Sequence, residues 1–164
     1  MKYFNNVRTL DELRKIFKGL LILNHPDNGG NEDIMKAINA EYDEVFKALK
    51  AGVVFTDDMT KAAKMAWDET QDELIRQALS KIVFFPDINI EIVGSWVWVD
   101  GLTMPIKEQL KEYGFTWSKA RKKWHYCPYE TNSFYKGKRK SFDSIRAMYG
   151  STVIDNERKA AITA

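Results

Sequence analysis

Apolar residues recur at three- and four-residue steps through two stretches near the amino terminus. The first stretch runs through Leu10, Leu13, Ile16, Phe17, Leu20 and Leu21, and the second through Ile34, Ala37, Ile38, Tyr42, Val45, Phe46 and Leu49. This spacing puts apolar side chains on one face of a helix, so it predicts two amphipathic helices. Thr9 and Glu12 have the spacing of a capping box before the first helix. Asn31 is expected to cap the second helix and Gly52 to end it.

The loop between these helices is short, so they are expected to fold back on each other as an antiparallel hairpin. A third helical pattern covers Thr56 to about Val83. From Ile88 onward the apolar period changes to two, which predicts either one strand bent at Gly94 or two short strands. A short helix from Thr103 to Tyr113 and a hairpin of 115–117 with 123–127 follow.

These elements predict an α+β fold with separate modules. We expect an all-α helical hairpin at residues 1–55 and a linking helix at residues 56–86. A small strand-helix-hairpin module is expected at residues 87–150, with a short helix near its end that Ser141 caps, and a tail at residues 151–164.

Composition supports a globular protein, since 45% of the 164 residues are apolar and 29% are charged. The net charge of +2 hides an asymmetry along the chain. Residues 1–50 have no net charge, residues 51–100 carry net −5 and residues 101–164 carry net +7. Such a separation indicates modules with different partners.

Cysteine usage and motifs exclude several classes of protein. Cys127 is the single cysteine, so no internal disulfide forms and a reducing cytoplasm is the expected location. The amino terminus lacks the apolar run of a signal peptide, and no stretch is long enough to span a membrane. His125 and Cys127 are too few for a zinc site. Without a phosphate-binding glycine motif, serine elbow or carboxylate pair, we expect no catalytic residue, metal or cofactor, and therefore no enzyme.

The loop between the two amino-terminal helices reads His25-Pro26-Asp27-Asn28-Gly29-Gly30. Helix, His-Pro-Asp, short glycine-containing loop and helix is the pattern of the J-domain of DnaJ-type co-chaperones, which residues 3 to about 50 resemble. The resemblance extends to the aromatic pair Tyr3-Phe4 and to the run Ile38-Asn39-Ala40-Glu41-Tyr42.

The resemblance implies that the amino-terminal module binds a DnaK-type chaperone ATPase and triggers its ATP hydrolysis. By position, His25, Pro26 and Asp27 would be the stimulating residues. The basic residues Arg14, Lys15 and Lys18 would form part of the docking face, where positive charge steers the encounter with an acidic partner. Gly19 and Leu23 stand where the family often has Lys or Arg, which predicts weaker or more partner-specific docking. The alternative is that His-Pro-Asp is only a helix-stopping turn.

The carboxy-terminal region resembles a small module that follows J-domains in some phage and mobile-element proteins of Gram-positive bacteria. The similar residues are Gly94-Ser95-Trp96-Val97-Trp98-Val99, Gly114-Phe115-Thr116-Trp117 and Lys123-Trp124. This resemblance brings no established activity, and a bacterial host would fit it.

Two interpretations of this module's tryptophans remain open. Trp96, Trp98, Trp117 and Trp124 can fill the core of a small domain, and we favour this interpretation for the set. They can instead stack on bases of single-stranded nucleic acid while basic residues hold its phosphates. The candidate residues for that interface are Lys119, Arg121, Lys122, Lys123, Trp117, Trp124, Lys138, Arg139 and Lys140.

The sequence therefore predicts a J-domain co-chaperone that recruits and stimulates a DnaK-type ATPase, while the second module binds the target. The alternative is a nucleic-acid-binding accessory protein of a phage or mobile element, in which the hairpin is only a scaffold. A second module that binds a protein client is not distinguished from these by sequence.

Overall fold

The computed structural model of the chain describes residues 1–59, 64–128 and 140–154. The chain forms two compact units, Met1–Met59 and Thr60–Ala164. The first unit is helical, and the second combines helices with an antiparallel sheet. The α+β class expected from the sequence is therefore confirmed.

The first unit contains helices α1 (Leu10–Asn24) and α2 (Glu32–Ala51), joined through a short 3₁₀ turn at Pro26–Asn28. The capping box that Thr9 and Glu12 predict is present at the start of α1. The Asn31 side chain accepts hydrogen bonds from two backbone amides of α2's first turn, and Gly52 caps the other end of α2. The sequence signals for both helices are confirmed, because these side chains and termini satisfy backbone groups that the helix leaves unpaired.

The facing sides of α1 and α2 enclose an apolar core. Its buried members are Phe4, Leu13, Phe17, Leu21, Met35, Ile38, Tyr42, Val45 and Phe46. Tyr42 lies at its centre, with the rings of Phe4, Phe17 and Phe46 at centroid distances of 5.8, 5.1 and 6.3 Å. Phe4 precedes both helices, so the amino-terminal segment is part of this core.

The second unit is built on a five-stranded antiparallel sheet with the strand order β3-β4-β2-β1-β5. The strands are β1 (Ile88–Val93), β2 (Trp96–Gly101), β3 (Thr116–Ser118), β4 (Lys123–Tyr126) and β5 (Ser151–Ile154). Strands β1 and β2 pair from Ile88 with Gly101 to Val93 with Trp96, so the alternating segment forms two strands joined by a tight turn. The predicted hairpin of β3 and β4 is present, with Trp117 opposite Trp124.

One face of the sheet packs against helix α3 (Glu69–Ile82), and the short helix α4 (Lys107–Glu112) contributes to the same core. The core residues from α3, α4 and the sheet are Ile75, Ala78, Leu79, Ile82, Ile88, Ile90, Ile92, Val97, Val99, Leu110, Phe115, Trp124 and Ile154. Helix α3 starts at Glu69, where the Asp68 side chain accepts a hydrogen bond from the amide of Gln71. Within the expected linking helix at residues 56–86, the segment Glu69–Ile82 is thus a core helix of the second unit and not a linker, because the sheet buries its apolar face.

The expectation of a tail at residues 151–164 also changes. Ser151–Ile154 forms β5, which pairs with β1 from Val93 opposite Ser151 to Ile90 opposite Ile154. Thr152 and Ile154 face the core and are buried. Two inward side chains on so short a strand give too little alternation for the sequence to predict it.

Helix α5 (Phe142–Tyr149) covers part of the opposite sheet face, and the Ser141 side chain caps it as expected. The Phe142 ring meets Trp98 edge-on at 5.2 Å. The Arg146 guanidinium donates to both carboxylate oxygens of Glu91, from Nε at 2.6 Å and from Nη2 at 2.7 Å. The hydrogen bonds to Glu91 raise the pKa of Arg146, so α5 is fixed to the sheet by a permanent cation.

None of the helices in residues 1–59, 64–128 and 140–154 has the length and apolar character needed to cross a membrane.

Candidate functional site

The His-Pro-Asp segment forms a rigid tip between α1 and α2. His25 leaves the helix in an extended conformation, with φ −66° and ψ 135°, as the residue before a proline is expected to do. Its amide still donates to the carbonyl of Leu21 at 3.0 Å. Its own carbonyl accepts from the amides of Asn28 and Gly30 at 2.9 and 3.0 Å. These bonds close the tip on itself and fix its backbone.

The side chains of His25 and Asp27 have different environments. His25 Nδ1 accepts a hydrogen bond from the amide of Asp27 at 3.2 Å, which places the proton of the neutral ring on Nε2. The His25 side chain is 18% exposed, whereas that of Asp27 is 84% exposed, with Oδ2 3.7 Å from Nδ1. The imidazole is therefore oriented by the backbone, and the carboxylate is presented to solvent.

Two glycines and two asparagines hold the loop against the end of α1. Gly29 adopts the left-handed region, with φ 77°. A Cβ atom on Gly30 would lie 2.1 Å from the backbone carbon and oxygen of Asn24, so only glycine fits there. The Asn28 side chain donates to the carbonyl of Ile22 at 2.9 Å, and Asn24 donates to that of Leu20 at 2.9 Å. Sequence reasoning anticipated the glycine reversal but not these amide clamps.

The basic residues expected at the docking face differ in exposure. Arg14 and Lys18 are buried, at 5% and 9% exposure. Lys15 is exposed, and its Nζ lies 2.8 Å from Asp11 Oδ2 one helical turn earlier. In this arrangement only Lys15 of the three presents its charge to solvent. Lys and Arg are rarely buried, so sequence alone predicts exposure for all three.

Exposed apolar side chains flank the tip, a feature that sequence reasoning did not identify. Leu23, two residues before His25, is 64% exposed, and Ile34 in the first turns of α2 is 37% exposed. A Cβ atom at Gly19, one turn before Leu23, would meet nothing within 4 Å. The surface of α1 that leads to the tip is therefore open and apolar.

Glu41 fixes the amino terminus to α2. Its carboxylate accepts hydrogen bonds from the amides of Lys2, Tyr3 and Phe4 at 2.9, 2.9 and 3.0 Å. Burial raises the pKa of Glu41, but the hydrogen bonds from these three amides outweigh it and hold the pKa below its ordinary value. Sequence reasoning noted Glu41 only as part of the run that resembles the J-domain.

The four candidate tryptophans of the second unit differ in their exposure to solvent. Trp98 and Trp124 are buried, at 5% and 7% exposure, and Trp96 is half-buried. Trp117 is 42% exposed. Trp124 belongs to the core beneath the sheet, and Trp98 is buried on the opposite face against Phe142, so both fill interior space and leave little ring area accessible to a base. Trp117 keeps an accessible ring.

The candidate basic residues divide in a similar way. Lys123 Nζ is bonded to Asp100, and the Arg121 guanidinium lies 5.4 Å from the centre of the buried Trp98 ring. Lys119 and Lys122 are exposed in the turn between β3 and β4. Lys140 is exposed as well, whereas Lys138 and Arg139 lie outside the described residues. The exposed cations at this turn are thus fewer than the sequence suggests.

His125 lies on the same sheet face as Trp96 and Trp98, with ring centres 5.3 and 5.2 Å away. Burial lowers the pKa of His125, and the nearby charge of Arg121 lowers it further, so the ring is neutral at pH 7. Cys127 is partly buried and is in no disulfide bond. Within residues 1–59, 64–128 and 140–154, no three His, Cys, Asp or Glu side chains are grouped so as to hold a metal ion.

Comparison with protein-family models, with the curated proteins and with the solved structures finds no match to this chain.

Proposed function

We propose that this chain is a J-domain co-chaperone, which recruits a DnaK-type chaperone ATPase and stimulates its ATP hydrolysis. The observation that carries the proposal is the conformation of the His25-Pro26-Asp27 tip. Asp27 is 84% exposed at the end of a helical hairpin, and backbone hydrogen bonds fix the residues on either side of it. A helix-stopping turn alone requires neither an exposed carboxylate nor an oriented imidazole.

In this proposal the tip acts on the partner's nucleotide site, and the chain itself performs no bond chemistry. A preorganised loop loses little conformational entropy on binding, so its contacts contribute more fully to affinity. The clamps from Asn24 and Asn28 and the tight packing of Gly30 supply that preorganisation. The second unit would bind the target on which the recruited chaperone acts.

The docking surface in this proposal is less basic than the resemblance implies. Lys15 is exposed but paired with Asp11, and Leu23 and Ile34 add apolar area beside the tip. Salt screens exposed charges but leaves apolar contacts largely intact. We therefore expect the stimulation to depend only weakly on ionic strength, and to be selective among DnaK partners.

The test is single-turnover hydrolysis of ATP bound to bacterial DnaK proteins, with and without the full chain. We expect the chain to accelerate hydrolysis and Asp27→Asn to return the rate to the basal value. The matched control is Asp33→Asn, an identical chemical change on an aspartate that is 92% exposed in the first turn of α2. That control should retain stimulation.

Circular dichroism would establish that each variant is folded before its activity is interpreted. Equal stimulation by wild type and Asp27→Asn would remove the tip from the mechanism. No stimulation of any of several DnaK proteins by the folded chain would reject the proposal, and the hairpin would then be a scaffold.

A further inference from the structure

The hairpin of β3 and β4 presents a fixed but accessible tryptophan. Trp117 lies on β3, an edge strand of the sheet, and is 42% exposed. Its ring meets the buried Trp124 ring at 5.5 Å with an angle of 61° between the planes. The neighbouring ring restricts Trp117 while leaving much of it open. A restrained aromatic side chain loses little entropy when it contacts a partner.

Two lysines follow Trp117 in the turn that leads to β4. Lys119 and Lys122 are exposed, and neither makes an ion pair within the described residues. Other lysines of the same unit are paired: Lys107 and Lys111 with Glu108, and Lys123 with Asp100. Lys119 and Lys122 therefore place two positive charges without an ionic partner among the described residues in the turn that follows Trp117.

The backbone of Lys122 adopts an uncommon conformation. Its φ of 53° lies in the left-handed region, where Gly and Asn are favoured and other residues carry strain. The turn is closed by a hydrogen bond from the Lys122 amide to the Ser118 carbonyl at 2.8 Å. The Lys122 backbone is therefore fixed, and Asn is a substitution that this conformation tolerates.

Arg121 links the turn to the residue that precedes the cap of α5. Its guanidinium contacts Trp98 and donates from Nη2 to the carbonyl of Lys140 at 3.4 Å. Lys140 is exposed and immediately precedes the cap of α5. Both contacts lie on the α5 face of the sheet, because Trp98 pairs with His125, whereas Trp117 pairs with Trp124 on the opposite face. The Lys140 ammonium contacts Met148 Sδ at 3.1 Å, so Lys140 belongs to the α5 side and not to the surface around Trp117.

We propose that the surface formed by Trp117, Lys119 and Lys122 binds single-stranded nucleic acid. An unpaired base would stack on the Trp117 ring, and the lysines would contact the adjoining phosphates. A duplex keeps its bases stacked on each other, so it offers no free base face to Trp117. An acidic protein surface would use the lysines but would gain little from the indole.

The surface differs from the one expected from sequence, because Trp124 is in the core and Lys123 and Arg121 make internal contacts. The proposal does not rest on the chaperone function. Its test contains no DnaK, so either proposal can fail while the other stands.

The experiment measures fluorescence anisotropy of a labelled thymidine oligonucleotide titrated with the full chain at several salt concentrations. We expect binding at low salt that weakens linearly with the logarithm of salt concentration. The double variant Lys119→Gln, Lys122→Asn should reduce the salt slope by about 1.4, at about 0.7 per phosphate contact on single strands. Asn at position 122 tolerates the left-handed backbone, so this variant should fold.

The matched control is Lys107→Gln with Lys111→Gln, which also removes two positive charges from the second unit, but from lysines paired with Glu108. This control should keep the wild-type slope. Trp117→Leu should weaken binding by at least about fivefold, the lower end of the stacking contribution of one base. Trp117→Phe should retain most of the affinity.

Three outcomes would overturn the proposal. The first is no binding of the oligonucleotide at low salt by the folded chain. The second is equal loss of salt slope in the turn variant and its control, which would indicate a diffuse charge effect. The third is binding of duplex DNA or polyglutamate as tight as that of the single strand and unaffected by Trp117→Leu.

Discussion

Substitution of Gly30 tests whether close backbone packing fixes the conformation of the His-Pro-Asp tip. A Cβ atom there would lie 2.1 Å from the backbone carbon and oxygen of Asn24 and 2.6 Å from its Cα. Carbon atoms in contact lie about 3.5–4.0 Å apart, so the loop and the end of α1 must separate by more than about 1 Å. That movement strains or breaks the bonds from Gly30 to His25 and from Asn28 to Ile22, which measure 3.0 and 2.9 Å.

The cost of Gly30→Ala follows from these contacts. Overpacking typically costs about 1–3 kcal/mol, and each weakened hydrogen bond adds roughly 1 kcal/mol. We expect the first unit to lose about 3 kcal/mol of unfolding free energy, and any stimulation of DnaK to be lost because the tip is displaced.

Two other glycines of the same unit provide matched alanine substitutions. Gly29 has a positive φ of 77° but open space around its Cβ position, so Gly29→Ala should cost about 1–2 kcal/mol from backbone strain alone. Gly19 lies within α1 with nothing near its Cβ position, so Gly19→Ala should stabilise the unit by roughly 0.5–1 kcal/mol. The same chemical change thus has three predicted effects with different signs and sizes.

Urea unfolding followed by two probes can measure the series. All five tryptophans lie beyond residue 59, so tryptophan fluorescence reports the second unit, whereas far-ultraviolet circular dichroism includes the helices of the first. The helical signal should shift in the order Gly30→Ala, Gly29→Ala, wild type, Gly19→Ala, from least to most stable, with the fluorescence transition unchanged. A Gly30→Ala protein as stable as Gly29→Ala would refute the packing argument.

Two further substitutions probe the ionic contacts. Glu41→Gln should lower the stability of the first unit near pH 7 and flatten its dependence on pH. The pKa of Glu41 is lower in the folded state than in the unfolded state, so its carboxylate stabilises the fold at neutral pH. That stability is lost as the pH falls below about 4.5, through the pKa of the folded state. Thermal melts from pH 3.5 to 7 would measure this, with Glu44→Gln on the same helix as the control; identical profiles for the two variants would contradict it. Arg146→Ala should cost the second unit about 2–3 kcal/mol in urea unfolding, less than a fully buried pair because the arginine is 38% exposed. Adding Glu91→Gln should recover part of that loss, because Glu91 is 7% exposed and would otherwise remain a buried, unpaired charge; no recovery would contradict the explanation.

The elements that could be predicted from sequence are those whose signals are local. Thr9 with Glu12, Asn31 and Gly52 satisfy helix ends within a few residues, so the bounds of α1 and α2 follow from them. The turn of β3 and β4 is local in the same sense. The position of α3 in the fold depends on distant residues. Its apolar face would suit a linker helix packed on another partner equally well, and only the sheet determines where that face is buried.

The exposure and pairing of the candidate binding residues depend on contacts between distant parts of the chain, so the sequence predicts them less completely than the helices. Trp117 and Trp124 have similar sequence surroundings, an aromatic residue beside basic ones. In the fold Trp124 lies on β4 beside β2 and faces the core, whereas Trp117 lies on the edge strand β3. Lys123 meets Asp100 only because β4 pairs with β2, although the residues are 23 positions apart. Strand order, which sequence does not encode locally, decides which cations remain exposed.

Binding at the two proposed surfaces should respond differently to ionic strength. On the helical hairpin, Lys15 of α1 is paired with Asp11, and exposed Leu23 beside the tip adds an apolar contact, so docking there should change little between low and physiological salt. At the β3–β4 turn, Lys119 and Lys122 have no ion pair among the described residues, so binding there should weaken steeply over the same range. A chain that stimulates DnaK at both salt concentrations but binds the oligonucleotide only at the lower one would therefore be using the two surfaces separately. If both activities fell together with salt, a shared electrostatic surface would explain them better than two distinct sites.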